Sequence, residues 1–326
     1  MIKELILLIG SFLFVYVLIP FFIDRLKQSN IVGIDVNKED KPIVAEMGGL
    51  VVLIALIFIS FFLIFLQTFN ILSFNLNLLT TLAIISSLSL LGLIGIVDDL
   101  INLPQYVKAL IPMFASIPLI ALKLVNSTVV FIPFIGSVDL GLFYIFIVLP
   151  LSLTVAPNLT NMLAGWNGLE YGMSIPIYFF SSLLGYYFMK PHLLYFSLIM
   201  LGASIAFYIF NSYKARIFPG DVGTFLIGGL ITILLIVDNM ESYAIIFIPY
   251  IFEFILKALN KFPNGQEYGN YFTLKDGKIF VKGKKISLIS YVVDLFNGLS
   301  EKYIALIFMF IEFVFSFFAY VLFMFK

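Results

Sequence analysis

Ten apolar runs alternate with polar segments along the chain, near 5–23, 47–66, 79–97, 108–125, 141–158, 172–189, 192–210, 222–238, 242–259 and 303–325. Each approaches the roughly 20 residues that a helix needs to cross a hydrocarbon core. No water reaches backbone groups there, so each run is predicted to be helical. The longest polar segment, 261–301, breaks the pattern. Thr273–Val281, with Asp276-Gly277 at its centre, reads as a small β-hairpin in the loop after span nine. Ser287–Leu299 follows, with apolar residues at Leu288, Val292, Leu295 and Leu299, and is predicted to be a helix lying on the membrane surface. The expected fold class is an all-α polytopic membrane protein of about ten transmembrane helices, one integral membrane domain over 1–326.

Composition strengthens that expectation. Only 12% of the 326 residues are charged and 62% are hydrophobic, where a soluble domain carries about 25% charged residues. The first run, Leu5–Phe22, has no small-residue cleavage site and is read as a retained span rather than a signal peptide. Charge then assigns the sides. Fifteen of the 19 Lys and Arg fall in or beside segments 24–46, 98–108, 159–171, 211–221 and 257–302. Lys3, Lys123, Lys190 and Lys326 lie on the other side. By the positive-inside rule the first set of loops is expected to be cytoplasmic and both termini external, in the plasma membrane if the source is prokaryotic. The chain has no Cys, which excludes thiolate chemistry and disulfides. Its one His, His192, is placed at an external turn as bystander surface, so a His-based catalyst is not expected. Zero net charge gives no nucleic-acid signature.

The unusual polar residues gather in the cytoplasmic loops. Asp98 and Asp99 end the third run, and adjacent carboxylates repel unless a divalent cation or a lysine holds them. Lys108 is about three turns further on, within reach only if the intervening loop folds back. Pro219-Gly220 makes a turn that puts Asp221 at a helix N-terminus, where N–H groups favour phosphate and the carboxylate can hold its metal. The plain alternative is an Asp helix cap worth about 1 kcal/mol. Asn158 and Asn161, three residues apart, share a helix face and can offer amide oxygens to a cation or ligand. Gly165 and Gly168 bracket Asn167 in a turn suited to a flat base or sugar. A secondary carrier is the rival from another class. It would need ionisable residues in mid-span, for which Glu253 and Glu312 are the candidates, both placed near span ends where they can snorkel or pair.

Four cytoplasmic segments carry a resemblance: Gly33–Gly49, Asp98–Lys108, Asn158–Glu170 and Phe218–Thr224. In this order they resemble the polyprenyl-phosphate N-acetylhexosamine-1-phosphate transferase family. Ala164-Gly165-Trp166-Asn167-Gly168 looks most like its eukaryotic and archaeal branch, the UDP-GlcNAc–dolichyl-phosphate GlcNAc-1-phosphate transferases; bacterial relatives usually carry Asp-Gly-x-Asp-Gly there. The resemblance implies transfer of a sugar 1-phosphate from a UDP-sugar to a polyprenyl or dolichyl phosphate with release of UMP, the first step of lipid-linked glycan assembly. It implies Mg2+, with Mn2+ as the alternative ion, ligated by Asn161 and Asp221. Asp98, Asp99 and Lys108 would be catalytic, beside the phosphates. Ile34, Asp35, Val36 and Glu46 would line the nucleotide pocket, Phe218 would stack on uracil with Gly165 and Asn167 nearby, and Asn158 would approach the prenyl phosphate. The lipid bilayer and a second copy of the chain, as a homodimer, complete the expected partners. One departure stands out. Where the family carries a basic His/Arg motif, this chain reads Gln266-Glu267-Tyr268, so these become the candidate sugar contacts and another UDP-hexosamine becomes the alternative donor.

Overall fold

The computed structural model describes residues 2–125, 127–132, 136–262 and 270–325. All ten apolar runs are helical within them: α1 (Ile2–Gln28), α2 (Gly49–Thr68), α3 (Leu78–Ile101), α4 (Gln105–Ala121), α5 (Gly141–Met162), α6 (Leu169–Tyr187), α7 (Pro191–Asn211), α8 (Gly220–Val237), α9 (Ile248–Leu259) and, after the short α10 (Leu288–Leu295), α11 (Glu301–Met324). Among the described residues seven of them, α1, α2, α3, α5, α7, α8 and α11, are long and apolar enough to cross a membrane. The other three expected spans fall short of that length or hydropathy. Run four is interrupted by a 3-10 stretch, Ile111–Ser116, with Pro112 and Pro118 each removing a helix donor. Run nine starts as the 3-10 stretch Glu241–Phe247 and turns α-helical only at Ile248, with Pro249 in its first turn. Serines and tyrosines dilute the hydropathy of α6.

The fold is also not purely helical. Three two-stranded antiparallel sheets occur among the described residues: β1 (Val32–Ile34) with β2 (Ile43–Ala45), β3 (Val129–Ile132) with β4 (Gly136–Asp139), and β5 (Phe272–Lys275) with β6 (Lys278–Val281). The last is the expected hairpin. Asp276 and Gly277 both adopt positive φ, 51° and 69°, as a two-residue hairpin turn demands. The other strands have three or four residues, too few for an alternating pattern to register. Helix α10 is capped by Ser287, buries Ile289, Ser290 and Val293, and exposes Leu295; Phe296, just past its end, is exposed too.

Helix α8 is the centre of the bundle, with 89% of its apolar window buried, and it packs on α2, α3 and α5. Small residues permit the closest approaches. A Cβ on Gly49 would fall 2.2 Å from Gly223, and one on Gly95 would fall 2.4 Å from Val222 Cα. Both contacts sit at the first turn of α8, so three helix ends carrying polar loops converge there. At the opposite end, Lys3 donates to Ser73 O at 3.0 Å.

Two placements differ from expectation. His192 is buried rather than on the surface, with Nδ1 3.8 Å from Asp238. Glu312 neither snorkels nor sits near a helix end: it is fully buried midway along α11 and accepts from Ser316 at 3.0 Å. Glu253 is likewise buried, but paired, with Lys257 at 2.9 Å and the N–H of Leu288 at 2.7 Å.

Candidate active site

The approach at Gly95 brings the end of α3 onto the start of α8. Asp99 accepts from the backbone N–H of Asp221 at 2.8 Å and of Val222 at 3.3 Å, capping α8 from another helix. Gly220, at φ +67°, makes this fit, because a Cβ there would stand 2.5 Å from Asp99 Oδ2. The cap on α8 is therefore Asp99, and the Asp221 carboxylate is left for other work. The loop after α3 does fold back. Asn102 takes a left-handed conformation, φ 49°, and Asp98 accepts from Leu103 N–H at 2.8 Å. Pro104 then starts α4 in a new direction and delivers Lys108 between two carboxylates, 2.6 Å from Asp98 and 2.5 Å from Asp221.

A second wall comes from the β1–β2 hairpin and the strand-like segment before α8. Phe218 N–H donates to Ala45 O and its carbonyl accepts from Gly48 N–H, both at 2.8 Å. The Phe218 ring lies over Gly33, where a Cβ would be 3.2 Å from Cδ2, and Glu46 lies beside it. Burial pushes the Glu46 carboxyl above the usual carboxylate range. The third wall is the end of α5 and the turn that follows. Asn167 donates its amide to Asp35 at 2.9 Å and its backbone N–H to Glu301 at 2.8 Å. Gly165 N–H donates to the buried Glu170 at 2.8 Å.

These walls enclose a cavity of about 560 Å³. Ile34, Asp35, Val36, Glu46, Asp99, Asn161, Gly165, Asn167, Phe218 and Asp221 all line it. Asp98 and Lys108 stand behind it, joined to it through Asp221. Asn158 is not a lining residue: its amide donates to Ala109 O at 3.2 Å and Thr154 O at 2.7 Å, tying α5 to α4. Of the two asparagines Asn161 lines this cavity, and the bonds of Asn158 engage its amide nitrogen rather than its oxygen. Gln266, Glu267 and Tyr268 lie outside the described residues. Sequence reasoning missed Glu301, Lys38 and Asn37, which surround Asn167, because each looks like ordinary polar residue at a helix or loop boundary.

Among the described residues no group of three or more His, Cys, Asp or Glu side chains is arranged to hold a metal. Asp221 and Asn161 nonetheless offer two hard oxygen donors to one cavity. That donor set fits Mg2+, which takes one or two protein oxygens and completes its shell with water and substrate phosphates. A second cavity, about 400 Å³ and lined chiefly by apolar residues, runs between α5, α8 and α9 past Leu159, Leu235 and Ile251. Leu159 is two residues from Asn161, so α5 borders both cavities.

The family model described as glycosyl transferase family 4 matches residues 81–239. A Saccharolobus solfataricus protein, named provisionally as a UDP-N-acetylglucosamine–dolichyl-phosphate N-acetylglucosaminephosphotransferase, is 35% identical over 291 residues, 87% of this chain and 86% of the relative. A Dictyostelium discoideum protein bearing that name without the qualifier is 29% identical over 341 residues, 90% of this chain and 81% of its own. A phospho-N-acetylmuramoyl-pentapeptide-transferase of Hydrogenobaculum sp. is 26% identical over 277 residues, 75% and 74% of the two chains.

Proposed function

Because the chain belongs to glycosyl transferase family 4, we propose that it transfers N-acetylglucosamine 1-phosphate from UDP-N-acetylglucosamine to a dolichyl-type polyprenyl phosphate, releasing UMP. The observation that carries the reading is one polar cavity joining Asp99, Asn161, Asp221 and Phe218 from three separate segments, at the end of a membrane helix bundle with an apolar cavity alongside. One substrate is water-soluble and the other lipid-soluble, and this arrangement reaches both. The relatives' names support the same donor and acceptor.

In the reaction an oxygen of the lipid phosphate attacks the β-phosphorus, its bond to the UMP oxygen breaks, and UMP departs with that oxygen. The acceptor is already ionised at neutral pH, so no strong base is needed. Lys108 supplies positive charge beside the phosphates and holds Asp98 and Asp221 together. Asp99 fixes the N-terminus of α8 and with it the position of Asp221. Phe218 offers its ring to the base, with Asn167 and Gly165 at the rim. Mg2+, held by Asp221 and Asn161, would supply charge neutralisation at the pyrophosphate. The apolar cavity takes the first isoprene units. The cytoplasmic side is assigned from the lysine bias, since the nucleotide sugar is a cytosolic compound.

Asp221→Ala and Asn161→Ala should each abolish UMP release while the fluorescence and melting of the single Trp, Trp166, stay as in wild type. Full Mg2+-dependent turnover in both variants contradicts the metal assignment. A panel of UDP-hexosamines run in the same assay decides the donor, since the muramoyl-pentapeptide relative shares much of the chain.

A further inference from the structure

Asn167 is held from two sides by carboxylates that share one lysine. Lys38 lies 3.1 Å from Asp35 and in tight contact with Glu301. Asp35 accepts from the Asn167 amide at 2.9 Å, and Glu301 accepts from its backbone N–H at 2.8 Å. Asn37 adds bonds to Gly165 O at 3.1 Å and Glu301 at 3.4 Å. Asp35, Lys38, Asn167 and Glu301 are all buried. Glu301 is itself anchored from outside the cavity: Leu299, two residues before it, exchanges backbone hydrogen bonds with Ile279 of β6 at 2.7 and 3.0 Å. Trp166 packs edge-on against Phe272 of β5 at 5.3 Å.

A buried ionic set seldom stabilises a fold more than apolar packing of the same volume. What it adds here is direction. A carboxylate only accepts, so Asp35 must take the nitrogen end of the Asn167 amide. The carbonyl Oδ1 is then the end left for the cavity that Asn167 lines. We propose that Lys38 and Glu301 are positioning residues that set the 164–168 turn and make Asn167 present an acceptor to the base, favouring the ring N–H of uracil over the bare ring nitrogen of cytosine. The inference rests on the reading of this cavity as a UDP-sugar site.

The test is titration calorimetry of UMP and CMP on the purified full-length protein and on Glu301→Gln and Lys38→Met. Wild type should prefer UMP by tenfold or more, and both variants should bind UMP about tenfold more weakly and bring the UMP-to-CMP ratio within about threefold, as loss of one charged hydrogen bond allows. The KM for the lipid acceptor should not move, and Lys38→Arg should recover most of the ratio. Should a single variant fail to fold, the double Lys38→Met/Glu301→Gln removes both charges and carries the same readout. An unchanged ratio in folded variants overturns the positioning role. Wild-type protein that binds neither nucleotide overturns the UDP-sugar reading instead.

Discussion

Replacing Gly95 by Ala adds one methyl group to a helix contact, against backbone atoms of Val222 and Asp221 and no side chain of the cavity. A Cβ at that position would lie 2.4 Å from Val222 Cα and 2.5 Å from its N, against an ordinary contact of 3.4 Å or more. Both neighbours are backbone atoms of a buried helix, so α3 and α8 must part by about 1 Å, an overpacking that costs roughly 1–3 kcal/mol. Asp99 is one turn further along α3. Its bonds to Asp221 N–H and Val222 N–H, now 2.8 and 3.3 Å, would then exceed hydrogen-bond reach. Lys108 can no longer span Asp98 and Asp221 at its present 2.6 and 2.5 Å. If these groups act as proposed, a displacement of this size lowers turnover by about a hundredfold. The assay is UMP release by purified Gly95→Ala, with Trp166 fluorescence confirming the fold. Gly92→Ala is the control, one turn earlier on the same helix. The three atoms nearest its Cβ would all belong to the Leu53 side chain, the closest at 2.4 Å, and a side chain can rotate away where backbone cannot. Activity there should stay within about twofold of wild type. Wild-type turnover in Gly95→Ala would refute the idea that this contact sets the site's geometry.

Two further outcomes follow from the charges. Lys108→Met strands the buried Asp98 carboxylate and should lower stability by about 3 kcal/mol along with activity, read by thermal melting and UMP release; a variant as stable as wild type contradicts the ion triad. Burial raises the folded-state pKa of Glu46 above the usual carboxylate range, so its ionised form is the unfavourable one in the fold, and the associated stability is lost as pH rises through that raised value. Glu46→Gln should therefore melt higher than wild type at pH 7.5, with the gap closing as pH falls below about 4; a gap independent of pH contradicts the burial cause.

How much was legible differed by element. The ten apolar runs located every long helix because a bilayer permits little else, yet Pro112, Pro118 and Pro249 made two of those runs discontinuous in ways hydropathy does not register. The Asp276-Gly277 turn was readable because its backbone needs two positive φ angles. Within the site, residues with unusual chemistry for their place were found: Asp98, Asp99, Asn161 and Asp221 stand out against apolar surroundings. Glu301 and Lys38 did not, because a first-turn glutamate and a loop lysine are unremarkable until three distant segments meet. The spacing of Asn158 from Asn161 could not show that its amide nitrogen ties α5 to α4, because that contact depends on where α4 runs.

The central claim is tested most directly by product identity. Purified full-length protein is incubated with UDP-N-acetylglucosamine labelled in the sugar, dolichyl phosphate and Mg2+, and the nucleotide and lipid products are quantified together. The account predicts one UMP for each labelled lipid formed, none of either with a chelator present, and recovery on restoring Mg2+. Release of UDP in place of UMP, or labelled sugar crossing a liposome membrane with no new lipid, contradicts it.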